Sequence, residues 1–104
     1  MATVNEKTTA YVAVKFYDKA GALAAPSSVT WRLDCMTNSQ QIADWSSISP
    51  ASEIEITVGF ALNAIINQAN ETERRVLTVR AVYGASDELH SEYYFLVQNL
   101  QKVS

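Results

Sequence analysis

The sequence predicts an all-β domain, an antiparallel β-sandwich of about seven strands with no disulfide, and three observations predict it. First, apolar and polar residues alternate in run after run. In the clearest run Val29, Trp31, Leu33 and Cys35 share one face and Ser28, Thr30, Arg32 and Asp34 the other, the period-2 pattern of a half-buried strand. Second, a turn signal follows almost every run, at intervals of about eight to twelve residues. Third, 104 residues, 48% of them hydrophobic and 18% charged, suit one globular core, and a single cysteine, Cys35, excludes an intrachain disulfide.

The elements follow in order. Residues 1–7 form a short N-terminal arm, 8–101 one domain, and 102–104 a C-terminal tail. The first strand is Tyr11–Tyr17, where Val12, Val14 and Phe16 alternate with Tyr11, Ala13, Lys15 and Tyr17. Asp18-Lys19-Ala20-Gly21 ends it as a turn, and Ala22–Ala25 is a loop because Pro26 pushes the residue before it out of the helical region. Ser28–Cys35 is the second strand. Thr37-Asn38-Ser39-Gln40 turns it into a weaker third strand around Gln41–Ser47, carrying Ile42 and Trp45 with imperfect alternation. After the Pro50 loop, Glu53–Val58 sets Ile54, Ile56 and Val58 against Glu53, Glu55 and Thr57.

The stretch Phe60–Ile66 reads as a strand continuing past a bulge at Gly59 or as an irregular turn, with a short helical turn as the other reading. Arg74–Tyr83 alternates Leu77, Val79, Ala81 and Tyr83 with Thr78, Arg80 and Val82, and Gly84 closes it. Ala85–His90 is a loop leading to the last strand, Glu92–Leu100. The expected core is Val14, Phe16, Trp31, Leu33, Ile54, Ile56, Leu77, Val79 and Phe95. About seven short strands in about 100 residues is the pattern of an immunoglobulin-like sandwich, though not of the antibody variety, because no Cys…Trp…Cys spacing is present.

Chemistry is sparse. A net charge of −3, with eight Lys plus Arg spread along the chain, argues against a nucleic-acid partner, which needs clustered cations. No stretch approaches the length that spans a bilayer and no basic segment leads into an apolar run at the N-terminus, so folding in a cytoplasm with no membrane partner is expected. The carboxylates Glu53/Glu55, Glu71/Glu73 and Asp87/Glu88 read as a solvated strand face and solvated loop charges, not as a converging acid–base pair. His90, the one histidine, reads as a surface residue, and Cys35 as a buried, inert thiol. Asn70-Glu71-Thr72 fits a glycosylation sequon but reads as a loop, and Asp87 with Glu88 beside a Gly-Ala-Ser turn lacks the spaced oxygen ligands of a calcium loop. No catalytic residue, metal or cofactor is expected.

One surface stands out. With Leu77, Val79, Ala81 and Tyr83 inward, their antiparallel neighbours Tyr93, Phe95 and Val97 face inward too, leaving Val76, Val82, Tyr94 and Leu96 outside around Arg80. Tyr and Arg amid aliphatics is the composition of interface hot spots, so these five residues are the candidate interface; ordinary scatter of exposed apolar residues is the competing reading.

The segments Ser28-Val29-Thr30-Trp31-Arg32-Leu33, Asp44-Trp45, Asn63-Ala64-Ile65-Ile66-Asn67, Leu77-Thr78-Val79 with Ala81, Tyr83 and Gly84, and Glu92-Tyr93-Tyr94-Phe95 with Asn99-Leu100 resemble small immunoglobulin-like proteins of tailed bacteriophages. The likeness runs from Ala10 to Leu100. It implies a non-enzymatic virion part: a head decoration or cement subunit, a head–tail or tail accessory piece, or a displayed adhesion module. Its implied partners are the major capsid, portal-adaptor or tail proteins and copies of itself, reached after folding in the host bacterial cytoplasm. The alternative is a binding module that recognises a carbohydrate or host surface through loops near Trp45 and Tyr17; an enzyme is the third class and has the least support.

Overall fold

The structure is a computed structural model that describes residues 2–84 and 87–100. Its strands are β1 (Ala2–Asn5), β2 (Ala10–Lys15), β3 (Ser28–Cys35), β4 (Gln40–Ile48), β5 (Glu53–Val58), β6 (Thr72–Tyr83) and β7 (Asp87–Gln98), with a 3-10 turn at Phe60–Asn63. The fold is all-β: no α-helix occurs among the described residues. Five strands form one sheet in the order β1-β7-β6-β3-β4, and β2 and β5 form a second, two-stranded sheet.

β3 and β5 form where alternation places them, because each buries one face and leaves the other wet. Between the sheets lie Ala10, Val14 and Phe16; Val29 and Leu33; Ile54, Ile56 and Val58; Ile65; Leu77, Val79 and Ala81; and Phe95 with Val97. The core registers confirm the facing, since Leu33 pairs with Leu77 and Val29 with Ala81 across β3 and β6, and Leu77 with Tyr93 across β6 and β7. Trp31 departs from expectation. It faces inward opposite Val79 but stays partly exposed, because a two-stranded layer does not cover the whole of a five-stranded one.

Residues 2–5, expected as an arm, form β1 parallel to β7, with Ala2 opposite Phe95 and Val4 opposite Val97. The chain is held there after the strand ends, because the Glu6 amide donates to the Gln98 carbonyl (2.8 Å) and the buried Glu6 carboxylate accepts the Leu100 amide (2.6 Å). β7 begins at Asp87, inside the stretch read as a loop, since antiparallel pairing with β6 continues out to Tyr83–Asp87. Tyr17 lies beyond β2 in an isolated bridge to Leu23. The tail 102–104, and Ala85 and Ser86 of the expected loop, lie outside the described residues.

The largest correction concerns Glu73. It is no solvated loop charge but a fully buried residue of β6, ion-paired to the equally buried Arg75 at 3.0 Å. Its two oxygens also accept the Ile66 and Asn67 amides (both 2.9 Å) and the Asn70 side chain (3.0 Å), while Arg75 donates to the Ala64 carbonyl (2.7 Å). These bonds tie the 64–70 segment to β6. Burial pushes the Glu73 carboxyl up, but the two amides, Asn70 and Arg75 more than offset it and hold it below the usual carboxylate range.

Candidate functional site

The five expected interface residues do share one face of the large sheet. Along β6, Arg74, Val76, Thr78, Arg80 and Val82 alternate with the inward-facing Arg75, Leu77, Val79 and Ala81. Tyr94 lies opposite Val76 and Leu96 opposite Arg74 on β7. Val76 differs from expectation: between Tyr94 and Asp34 on the flanking strands it is only 4% exposed, so it underlies this face and presents little surface of its own. Val82, Tyr94 and Leu96 are partly buried and Arg80 is exposed.

What the outer face presents is a band of arginines and aromatic rings. Trp45 of β4, 40% exposed, has the Arg32 guanidinium 5.8 Å and the Arg80 guanidinium 6.0 Å from its ring centre. Arg74 stacks over Tyr94 at 4.5 Å. Arg32 is fixed by a two-pronged bond to Asp34 (2.8 and 2.7 Å), which raises its pKa further, and Arg80 pairs loosely with Glu88 at 3.6 Å. The Tyr94 hydroxyl donates to Glu92 (3.0 Å), and that bond lifts its pKa above the ordinary tyrosine value. Cation–π contacts of this kind restrict the long arginine chains beside the rings, most closely at Arg74 over Tyr94.

Trp45 is not among the five residues that the sequence marks as an interface, although the weak third strand carries it. The signal was hidden by β-bulges: the β3–β4 register shifts between Trp31 and Leu33 and again between Leu33 and Asp34, so alternation along β4 does not report its facing.

The remaining candidates disperse. Glu53 and Glu55 are exposed on β5, Glu71 is exposed and apart from the buried Glu73, and Asp87, Glu88 and His90 are exposed on β7. His90 lies opposite Arg80. Cys35 is fully buried, its thiol directed at Asn38 Oδ1 at 3.8 Å. Asn70 of the sequon spends its side-chain amide on Glu73 and Asn38. Among the described residues no three His, Cys, Asp or Glu side chains gather as a metal-binding group.

An open cleft of about 620 Å³ lies at the far end of the β6–β7 hairpin, between Tyr17, Asp18, Lys19 and Ala20 on one side and Tyr83, Asp87, Glu88 and Leu89 on the other. Tyr83 spends its hydroxyl on the Ala24 carbonyl (3.2 Å), and its pKa is raised by burial and then by the Asp18 charge. No family model matches the chain, and no curated protein or solved structure matches it either.

Proposed function

We propose that the protein is a non-enzymatic structural part of a tailed-bacteriophage virion, a head decoration or head–tail accessory subunit that docks on other virion proteins through the outer face of its large sheet. The observation that carries this reading is the Arg32–Trp45–Arg80 and Arg74–Tyr94 band, since tryptophan, tyrosine and arginine are the residues that dominate interface energetics. The strand order supports the immunoglobulin-like part of the reading. β7-β6-β3-β4 and β2-β5 divide as strands G-F-C-C′ and B-E do in a variable-type sandwich.

The test is a Trp45→Ala, Arg80→Ala double variant. Both side chains lie on the solvent face, so the thermal midpoint is expected to stay near that of the parent. Loss of a hot spot of about 2 kcal/mol lowers affinity about thirtyfold, so copies of the variant carried on purified particles, counted by mass spectrometry, fall sharply. Undiminished occupancy by the folded variant overturns the docking face. The second reading, a glycan-binding module, is favoured by one feature, the cleft with its exposed Tyr17. Saturable binding on a glycan array, lost on Tyr17→Ala, would support it over the first.

A further inference from the structure

The two-stranded sheet leaves a strand's worth of backbone open, and three observations locate the opening at β5. The first is hydrogen-bond phase. Phe16 donates to the Ser52 carbonyl at 2.9 Å, so this opposed pair is a hydrogen-bonded one, and in an antiparallel ladder every second pair on from it is bonded as well. Val14–Ile54 and Val12–Ile56 are therefore the bonded pairs. Glu53, Glu55 and Thr57 direct their N–H and C=O groups away from β2, and among the described residues no backbone bond meets them. The outer edge of β2 also carries outward groups, at Tyr11, Ala13 and Lys15, that no backbone bond meets among the described residues, since the Ala24 amide on the Phe16 carbonyl (3.0 Å) and the Asp18 amide on the Ala22 carbonyl (2.9 Å) engage residues in phase with those that bond β5; what lies beside each edge therefore separates the two.

The second observation is what lies beside that edge. The chain enters β2 from Glu6, bonded to the end of β7, and leaves it at Tyr17, across the cleft from Leu89 at the start of β7. β2 thus lies over the β7 side of the large sheet and β5 over the β3 side. Past β5, Trp31, Ile42, Ala43 and Ile48 of β3 and β4 pack against the core yet remain partly exposed, an apolar ledge without a covering strand. The third observation is charge. The solvent side of β5 carries Glu53 and Glu55, and the one strand that already pairs with it sets Lys15 against Glu53 at 3.6 Å.

We propose that β5 is an acceptor edge for an extended segment of another protein, in which basic residues alternate with apolar ones. Such a segment adds to β5 as a third strand, bonds to the outward groups of Glu53, Glu55 and Thr57, lays its apolar residues over the Trp31–Ile48 ledge and sets its basic residues against the two glutamates. A second copy joined through the same edge is disfavoured, because two antiparallel β5 strands bring glutamates together.

The probe is an end-blocked peptide, Lys-Val-Lys-Val-Lys-Val-Lys, with a scrambled peptide of the same composition as control. Nuclear magnetic resonance is expected to show exchange of the Glu53, Glu55 and Thr57 amides slowed at least tenfold by the probe and unaffected by the control. Glu55→Pro removes an outward N–H and no β2–β5 bond, so it is expected to leave the fold intact and abolish this protection. The Glu53→Lys, Glu55→Lys variant, which does not touch the backbone, is expected to lose the basic probe and to take up Glu-Val-Glu-Val-Glu-Val-Glu in its place. The proposal is overturned by absence of binding at millimolar probe, by equal protection from the control, or by protection at Tyr11, Ala13 and Lys15 or along β4. It is overturned equally by unchanged affinity for the basic probe after charge reversal, or by self-association through β5.

Discussion

Glu73 and Arg75 sit two positions apart on the inward face of β6, opposite Val97 and Phe95, where apolar residues would serve the core. A buried pair of this kind adds little stability over a well-packed apolar substitute, but removing one partner strands the other and costs about 3–5 kcal/mol. What the pair does here is anchor: Glu73 holds the Ile66 and Asn67 amides and Asn70, and Arg75 holds the Ala64 carbonyl, so the 64–70 segment closes that end of the core. The pH dependence follows from the lowered Glu73 carboxyl. A folded-state value below the unfolded one of about 4.3 means that its stabilisation is fully present above that pH and lost as pH falls through the lower, folded value. Glu73→Gln is expected to be less stable than the parent at pH 7 and to show a shallower fall of its urea midpoint below about pH 4; parallel acid profiles for the two proteins would assign the acid loss to other carboxylates. Nothing in the sequence singled out Glu73, because a charged residue is a poor core candidate until its four partners, brought from 64–70 and Arg75, are in view.

At the level of the strand, legibility tracked one-sided burial. β3 and β5 appear with the residue bounds that alternation gives them, since an error of one residue would turn Leu33 or Ile56 to solvent. β4 was weak because bulges break its period, and the four-residue β1 carries too little pattern to announce itself. Phe60–Asn63 is the helical turn that periodicity alone could not separate from a strand, with Asn63 buried and donating to the Thr8 carbonyl (2.8 Å). β3 also supplies a graded test. Leu33 has no exposed surface, whereas Trp31, the larger residue, is partly open beside the uncovered ledge. Leu33→Ala is expected to cost about 3–5 kcal/mol and Trp31→Ala about 1–2 kcal/mol, the reverse of their order by size. Denaturant unfolding of the two variants decides it, and a larger loss at Trp31 would mean that the smaller sheet covers β3 fully.

The whole molecule is long, 47 × 20 × 20 Å, with a radius of gyration of 15.0 Å against the ~13 Å of a compact chain of this length. The cause is an unequal pair of layers. β6 and β7 run 12 residues each, about 40 Å at 3.4 Å per residue, whereas β2 and β5 run six, about 20 Å. The covered middle of the large sheet holds Leu33, Leu77 and Val79, while toward the hairpin's far end Asp87, Glu88, Leu89 and His90 are all exposed and the Tyr17–Ala20 loop leaves a cleft. Opening free energy therefore falls along the long axis, because backbone bonds with few apolar contacts over them break without unfolding the rest. Native-state hydrogen exchange is expected to show the Leu33, Leu77 and Val79 amides exchanging only through global unfolding, and the Leu89 amide, at the open end, through an opening at least about 2 kcal/mol easier. Equal protection at Leu89 and Leu77 would mean that the cleft end is held as firmly as the core, and would favour a rigid binding site there over a hairpin tip stabilised on docking.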